Sequence, residues 1–150
     1  MGDAPPERFH AQESLSMVAV GEKPVQLRRA RAGVFVRLPS STRRALEEGK
    51  LPKGNAWVAA KVAGILAAKK TAELLPLCHP LPLEHVVVDC HLHPEGVEVE
   101  SRVETSAKTG VEMEALVAAA VAALTLYDMC KGLGGEIVIE GLRLLEKEKR

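Results

Sequence analysis

The sequence predicts an α+β sandwich of ferredoxin-like type, in which two long helices cover one face of an antiparallel sheet. Valines at 97, 99 and 103 share one side of a predicted strand whose other side is charged, a pattern typical of antiparallel sheets with one buried face. Residues 56–72 and 109–131 form two long, alanine-rich apolar segments that suit helices. Antiparallel strands with helices on one face indicate this fold class.

The predicted elements run strand, short helix, helix, strand, strand, helix and strand. We expect strands at residues 25–38, 85–93, 97–105 and 136–145, and helices at 40–48, 56–72 and 109–131. Ser40 or Ser41 is the expected N-cap of the first helix, and Asn55 that of the second. Thr109 with Glu112 matches a capping box at the start of the third.

The length of 150 residues indicates a single domain, residues 17–150, preceded by a loose arm at residues 1–16. A net charge of +0 and a pI near 7.0 argue against a basic surface for nucleic acid or membranes. An odd cysteine count argues against a disulfide framework, so we expect a reducing, cytoplasmic location. Charged residues interrupt the apolar segments, so no membrane span is expected.

The third helix is apolar on all sides across residues 115–126. A helix of this kind is buried on all sides, which in a chain of this size usually requires a second subunit.

Cys78-His79 lies between Pro76 and Pro80, just after a helix. Two prolines stiffen the backbone, and histidine can transfer a proton or bind an anion near neutral pH. The alternative is a surface loop with an incidental histidine.

Glu112 and Glu114 stand at the start of the third helix. The predicted capping box accounts for a glutamate at position 112 but not for one at position 114. The preceding residues 108–110 offer a cation and free amides, which suit an anion, although the segment is not a Walker A loop.

Asp128 and Lys131 are neighbours on one helix face. A surface ion pair contributing only about 0–1 kcal/mol would explain them, but a semi-buried helix end could also shift their pKa values. Lys53, in a glycine loop, is a further candidate for phosphate or proton chemistry. Lys69 near the end of the second helix suits the helix dipole.

Glu114 and Asp128 are separated by about 21 Å of helix. One subunit does not easily bring both to one small ligand, whereas two antiparallel helices in a dimer would. We therefore expect the site at a subunit interface.

An alternative role for the thiol and imidazole groups within residues 78–93 is zinc binding. None of them shows the paired spacing of a zinc site, so no metal ligand is predicted, and the histidines at residues 85–93 are expected to lie on a hairpin. The residues concerned are Cys78, His79, His85, Cys90, His91 and His93.

Taken together, these segments resemble the cyclic pyranopterin monophosphate synthases of molybdenum cofactor biosynthesis, the accessory protein C family. The resemblance covers residues 17–147. Its matching segments are Lys53-Gly54, Ala63-Gly64-Ile65, Ala67-Ala68-Lys69-Lys70-Thr71, Leu77-Cys78-His79-Pro80, the segment at residues 109–116 and Tyr127-Asp128-Met129-Cys130-Lys131.

The resemblance implies a lyase that converts 3′,8-cyclo-7,8-dihydro-GTP to a pterin with a cyclic phosphate and releases pyrophosphate. It implies a homohexamer, a trimer of dimers, and a functional link to the radical S-adenosylmethionine enzyme that makes the substrate. No cofactor is expected, although magnesium could accompany the triphosphate. No nucleic acid or membrane partner is expected.

The resemblance also implies roles for individual residues. Asp128, Lys131 and Lys53 would be catalytic, the two lysines in general acid–base steps. The substrate would contact Leu77, Cys78, His79, Glu112, Met113 and Glu114, with Arg28, Lys69 and His79 on the triphosphate.

The chain departs from the family pattern at Ala19 and Asn55, where aspartate is usual, and in the glycine-rich segment at 132–135. A Ser-Gly-Gly-Lys segment usually follows the position of Lys147, and without it we expect this chain either to bind phosphate less tightly or to use Lys149 or Arg150 instead. The alternatives to a synthase are a non-catalytic nucleotide-binding module and, less favoured, a zinc-dependent hydrolase.

Overall fold

The structure is a computed structural model that describes residues 14–150. Most of the predicted N-terminal arm, residues 1–16, therefore lies outside the described residues. The strands are β1 (Gln26–Arg37), β2 (His85–His93), β3 (Gly96–Ala107) and β4 (Val138–Lys149). The helices are α1 (Ser40–Glu47), α2 (Ala56–Lys69), α3 (Thr71–Leu74) and α4 (Glu112–Cys130), and a 3-10 turn (Lys131–Leu133) follows α4.

The four strands form one antiparallel sheet in the order β2-β3-β1-β4. The central strand β1 pairs with β3 and β4, and β2 pairs with β3. Helices α2 and α4 pack on each other and on the sheet. The predicted α+β fold with an antiparallel sheet is confirmed, and the strand order is compatible with the predicted ferredoxin-like type.

The core lies between the sheet and the two long helices. On β3, Val97, Val99 and Val103 are fully buried, as their alternation predicts. The opposite face carries ion pairs between β1 and its neighbours. Arg31, for example, lies 2.6 Å from Glu100 of β3 and 3.0 Å from Glu146 of β4.

Helices α2 and α4 approach each other closely at Gly64. A Cβ at this position would lie 2.9 Å from the Ala118 carbonyl oxygen and 2.9 Å from a methyl group of Val88. Only glycine fits this contact without a shift of backbone, so Gly64 fixes how α2 and α4 sit on each other.

The outer side of the helix layer remains apolar and exposed, so the expected burial of α4 on all sides is not met within one chain. Leu124 on α4 is 58% exposed. Val58, Val62 and Leu66 follow one face of α2 at intervals of four residues and are each at least half exposed. These three residues with Leu124 and Tyr127 are called the outer apolar stripe below.

One of the three predicted caps is confirmed. The Asn55 side chain accepts a hydrogen bond from the Val58 amide at 3.2 Å. The predicted cap at Ser40 or Ser41 is wrong, because α1 begins at Ser40 and the N-cap position before it has no side-chain bond. The capping box at Thr109 is also wrong, because Glu112 is the first residue of α4 and not the third.

The ends of α2 and β4 also differ clearly from the prediction. Helix α2 ends at Lys69, and a separate short turn, α3, follows because the buried Thr71 hydroxyl donates to the carbonyls of Ala67 and Ala68. Strand β4 extends to Lys149 because it pairs with β1 over almost its full length, through two bulges.

The segment Glu112–Leu133 is long and apolar enough to cross a membrane by length and composition alone. Half of it is buried inside the fold, and the core helix of a folded domain passes the same test.

Candidate functional site

The two ends of α4 each carry a group of the predicted site residues. At the N-terminal end, a cavity of about 620 Å³ opens between the start of α4, the loop after α3 and the segment before β1. It is called the main cavity below. Among the predicted residues, its lining includes Leu77, Cys78, His79, Glu112, Met113 and Glu114.

Glu114 is the buried acid of the main cavity, only 3% exposed. Its Oε1 accepts a hydrogen bond from the Cys78 thiol at 3.8 Å, while its buried Oε2 has no partner within residues 14–150. Burial raises the pKa of Glu114. Hydrogen bonds from its own backbone and from Cys78 oppose this rise, and the nearby charge of Glu112 adds to it. A carboxyl group in this environment can hold a proton and both donate and accept hydrogen bonds.

Cys78 is held on its loop by a hydrogen bond from its amide to the Leu75 carbonyl, at 3.0 Å. Burial and the neighbouring Glu114 carboxylate both raise the pKa of the Cys78 thiol. The thiol is therefore a hydrogen-bond donor at neutral pH and a poor nucleophile.

Glu112 does not cap the helix but folds back over Gly110, where its carboxylate occupies the space that a Cβ would need. It lines both the main cavity and a smaller cavity with Arg28 and Lys149. Arg28 donates to the Lys108 carbonyl at 3.3 Å, so it lies beside the main cavity and not in its lining.

Lys69 lines a third cavity, on the other side of Glu114. The triphosphate residues expected from the sequence are thus divided in this chain. His79 is in the main cavity, while Arg28 and Lys69 lie in two cavities that adjoin it through Glu112 and Glu114.

At the C-terminal end of α4, the Asp128 carboxylate lies between two lysines. The ammonium of Lys53 is 2.9 Å from Oδ2, and that of Lys131 is 3.0 Å from Oδ1. The hydrogen bond from Lys53, and then that from Lys131, lowers the pKa of Asp128. The three side chains are about half exposed, at 48%, 52% and 57%, so the expected semi-buried environment is not formed by one chain.

Lys53 reaches Asp128 because of the loop that precedes α2. Gly54 adopts a φ of 106°, which a side chain would disfavour, and the Asn55 cap then begins the helix. This turn directs the Lys53 side chain toward the end of α4.

The lysine pair with Asp128 and the main cavity are separate in one chain. None of Lys53, Asp128 and Lys131 lines the main cavity, and fourteen residues of α4, about 21 Å, separate Glu114 from Asp128. The structure thus gathers six predicted residues in the main cavity and three around Asp128, leaves Arg28 and Lys69 in adjoining cavities, and does not unite the two groups.

Comparison with known families gives a match to the model of the MoaC family over residues 17–150. The chain belongs to the MoaC family. This is an enzyme family of molybdenum cofactor biosynthesis, so the chain has a role in that biosynthesis. The family assigned from the sequence is confirmed.

His85, His91 and His93 of this MoaC-family chain lie on β2 of the β2–β3 hairpin, as expected. His93 pairs with Glu98 at 2.9 Å and stands edge-on to Phe35, with ring centres 6.1 Å apart. Within residues 14–150, no group of three or more histidine, cysteine, aspartate or glutamate side chains is arranged to hold a metal ion.

Sequence reasoning missed several residues at the site. Val18, Val20 and Lys23, from the segment before β1, line the main cavity. Lys147 lines the smaller cavity with Arg28. No local motif marks these positions. Lys147 reaches the site through the pairing of β4 with β1, and residues 18–23 do so through the docking of their segment, which includes the Lys108–Gly21 hydrogen bond.

Lys149 and Arg150, the two residues expected to stand in for the usual Ser-Gly-Gly-Lys segment, lie in different surroundings. Lys149 lines the cavity that contains Arg28. Arg150 instead pairs with Glu148, and its backbone bonds to Leu27.

Proposed function

We propose that this chain is a cyclic pyranopterin monophosphate synthase, a lyase that converts 3′,8-cyclo-7,8-dihydro-GTP to cyclic pyranopterin monophosphate and releases pyrophosphate. The observation that carries the proposal is the Asp128 carboxylate between two lysine ammonium groups in a member of the MoaC family. A surface ion pair alone does not need two cations that converge on one acid.

In this proposal, the two lysines transfer protons and stabilise negative charge. Opening and closing the guanine-derived rings requires proton transfer to and from nitrogen and oxygen, which Lys53 and Lys131 supply. Asp128 holds both ammonium groups in position. Once pyrophosphate begins to leave, a neighbouring ammonium stabilises the charge on the leaving oxygens.

The main cavity suits the ring system of the substrate. Leu77 and Met113 offer apolar contacts, and Glu114 offers a carboxyl group that can hold a proton against a nitrogen-rich ring edge. His79 at the cavity lining, with Arg28 and Lys69 beside it, would bind the triphosphate.

We also propose that the active site is completed by a second chain in a homohexamer built as a trimer of dimers. The separation of the two residue groups along α4 supports this, and so does the outer apolar stripe. Two antiparallel α4 helices would bring the Asp128 end of one chain to the main cavity of the other.

Sedimentation of the Val62→Asp variant tests the assembly, because a charge in the stripe should dissociate the hexamer. Val25→Asp makes the same change at another exposed valine, outside the stripe, and should leave the hexamer intact. A hexameric Val62→Asp variant would contradict this interface.

Purified protein incubated with the cyclised GTP intermediate tests the reaction, by pyrophosphate release and pterin fluorescence after oxidation. The wild type should turn over and Asp128→Ala should not. The reaction is run with and without magnesium, because no cofactor is expected to be required. Binding of the intermediate with no pyrophosphate released at any magnesium concentration would instead favour a non-catalytic nucleotide-binding module.

The proposed reaction places the chain directly after the radical S-adenosylmethionine enzyme that forms the cyclised intermediate. We propose a cytoplasmic location, in agreement with the three free cysteines and the reducing conditions that they favour.

A further inference from the structure

The segment before β1, residues 17–23, crosses the rim of the main cavity. Val18, Val20 and Lys23 belong to the cavity lining. The segment has no helix or strand of its own, and Val18 is 70% exposed. It covers the cavity from outside and does not form part of the core.

One side chain fastens this segment to the rest of the fold. The Lys108 ammonium, from the loop between β3 and α4, donates a hydrogen bond to the Gly21 carbonyl at 2.9 Å. A turn closed by the Lys23 amide and the Val20 carbonyl, at 3.0 Å, lies next to this bond and carries the Lys23 side chain. The position of Lys23 therefore depends on Lys108.

The charges of the main cavity give Lys23 a chemical role. The acids in its described lining are Glu112 and Glu114, which oppose the entry of an anion. Among the lining residues within 14–150, Lys23 is the one lysine or arginine, and His79 is the other basic side chain. A polyphosphate ligand in this cavity would therefore find a lysine counter-charge in Lys23.

We propose that Lys23 contacts the phosphate groups of the bound nucleotide, and that Lys108 is a positioning residue that fastens residues 17–23 over the main cavity. This inference rests on the proposed function, because that function supplies the polyphosphate ligand. Lys23 is thus a further cation for the ligand, in addition to His79 of the loop after α3 and the lysines around Asp128.

The first test measures binding of GTP by calorimetry to the full chain and three variants. Lys23→Ala should weaken binding about tenfold, as expected for loss of one charge-assisted hydrogen bond. Lys23→Arg should retain most of the affinity. Lys50→Ala removes an equal charge from a lysine paired with Glu48, away from the cavity, and should bind GTP like the wild type.

The second test measures how fast iodoacetamide labels Cys78, with no nucleotide present. Cys78 lines the cavity, so release of the covering segment in Lys108→Ala should raise its labelling rate about tenfold, and the affinity for GTP should fall. Lys108→Arg keeps a donor and should behave like the wild type. Labelling of Cys90, which lies on β2 outside the cavity, should be the same in all variants.

Unchanged GTP affinity in Lys23→Ala, or unchanged Cys78 labelling in Lys108→Ala, would overturn the inference. A wild type that binds no GTP would overturn it as well. The proposed function is judged separately, by pyrophosphate release from the cyclised intermediate, so the two failures are distinguishable.

Discussion

The two ends of α4 differ in how much of their environment one chain supplies. At the N-terminal end, Glu114 is 3% exposed and lies in a cavity with apolar walls, so its surroundings are nearly complete. At the C-terminal end, Asp128 is half exposed and its two lysine partners lie at the surface.

The difference indicates that the buried end of α4 binds the substrate and that the exposed end carries the catalytic groups. A buried end can recognise a ring system without help, because desolvation and shape are already present. An exposed lysine–carboxylate group has little catalytic power in water, where its charges are screened. We infer that this end becomes reactive when a second chain covers it.

The largest effect is expected at the exposed end, in Lys131→Ala. Loss of a proton-transferring group should lower the rate of pyrophosphate release by about 10²–10⁴-fold. The thermal midpoint is measured beside the rate, to show that the variant stays folded. Lys50→Ala, at another exposed lysine, should leave both rate and midpoint as in the wild type.

The Gly64→Ala substitution tests the packing of α2 on α4, which fixes how these two helices sit on each other. Gly64→Ala places a methyl group 2.9 Å from the Ala118 carbonyl oxygen, so the helices must separate, at a cost of about 1–3 kcal/mol. Urea unfolding measures this loss. Gly132→Ala meets open space and serves as the control. Equal stability of the two variants would mean that the contact of α2 with α4 is looser than described.

Asn55 tests how firmly the loop of Lys53 is held. Asn55→Ala removes the cap of α2 and should reduce the free energy of unfolding by about 1 kcal/mol. Ser40→Ala changes the first residue of α1, whose N-cap makes no side-chain bond, and should change little. If both variants lose the same free energy of unfolding, the Asn55 side chain does not stabilise the start of α2 as described.

Glu114→Gln, for which the smallest effect is expected, tests the buried end of α4. The folded-state pKa of Glu114 is raised above its unfolded value, so the folded protein binds this proton more tightly than the unfolded chain. Relative to Glu114→Gln, the wild type should lose stability as pH rises through the unfolded pKa of glutamate and up to the raised value. Urea unfolding at a series of pH values measures the difference, and a difference independent of pH would contradict the burial argument.

The sequence predicted the sheet and the long helices well, because alternation in β3 and the apolar run of α4 are local patterns. It located the helix starts less well. The Thr109 capping box was an incorrect prediction, since the chain turns at Val111 and Glu112 enters the site instead.

The site was predictable where a motif lies on one element, as with Asp128 and Lys131. The ion pair of Lys53 with Asp128 joins residues 75 positions apart, and the family resemblance rather than spacing suggested it. Lys23 could not be found from the sequence, because only the docking of residues 17–23 on the cavity brings it there.

Subunit mixing tests most directly the claim that the two ends of α4 from different chains form one site. His79→Ala, at the cavity end, and Lys131→Ala, at the exposed end, are each expected to be inactive and are co-expressed with different tags. If sites are shared, half of the dimers are mixed and each contains one intact site, so activity should return to about a quarter of the wild-type value. If each site lies within one chain, every site keeps a mutation, and the mixture should be as inactive as the two variants alone.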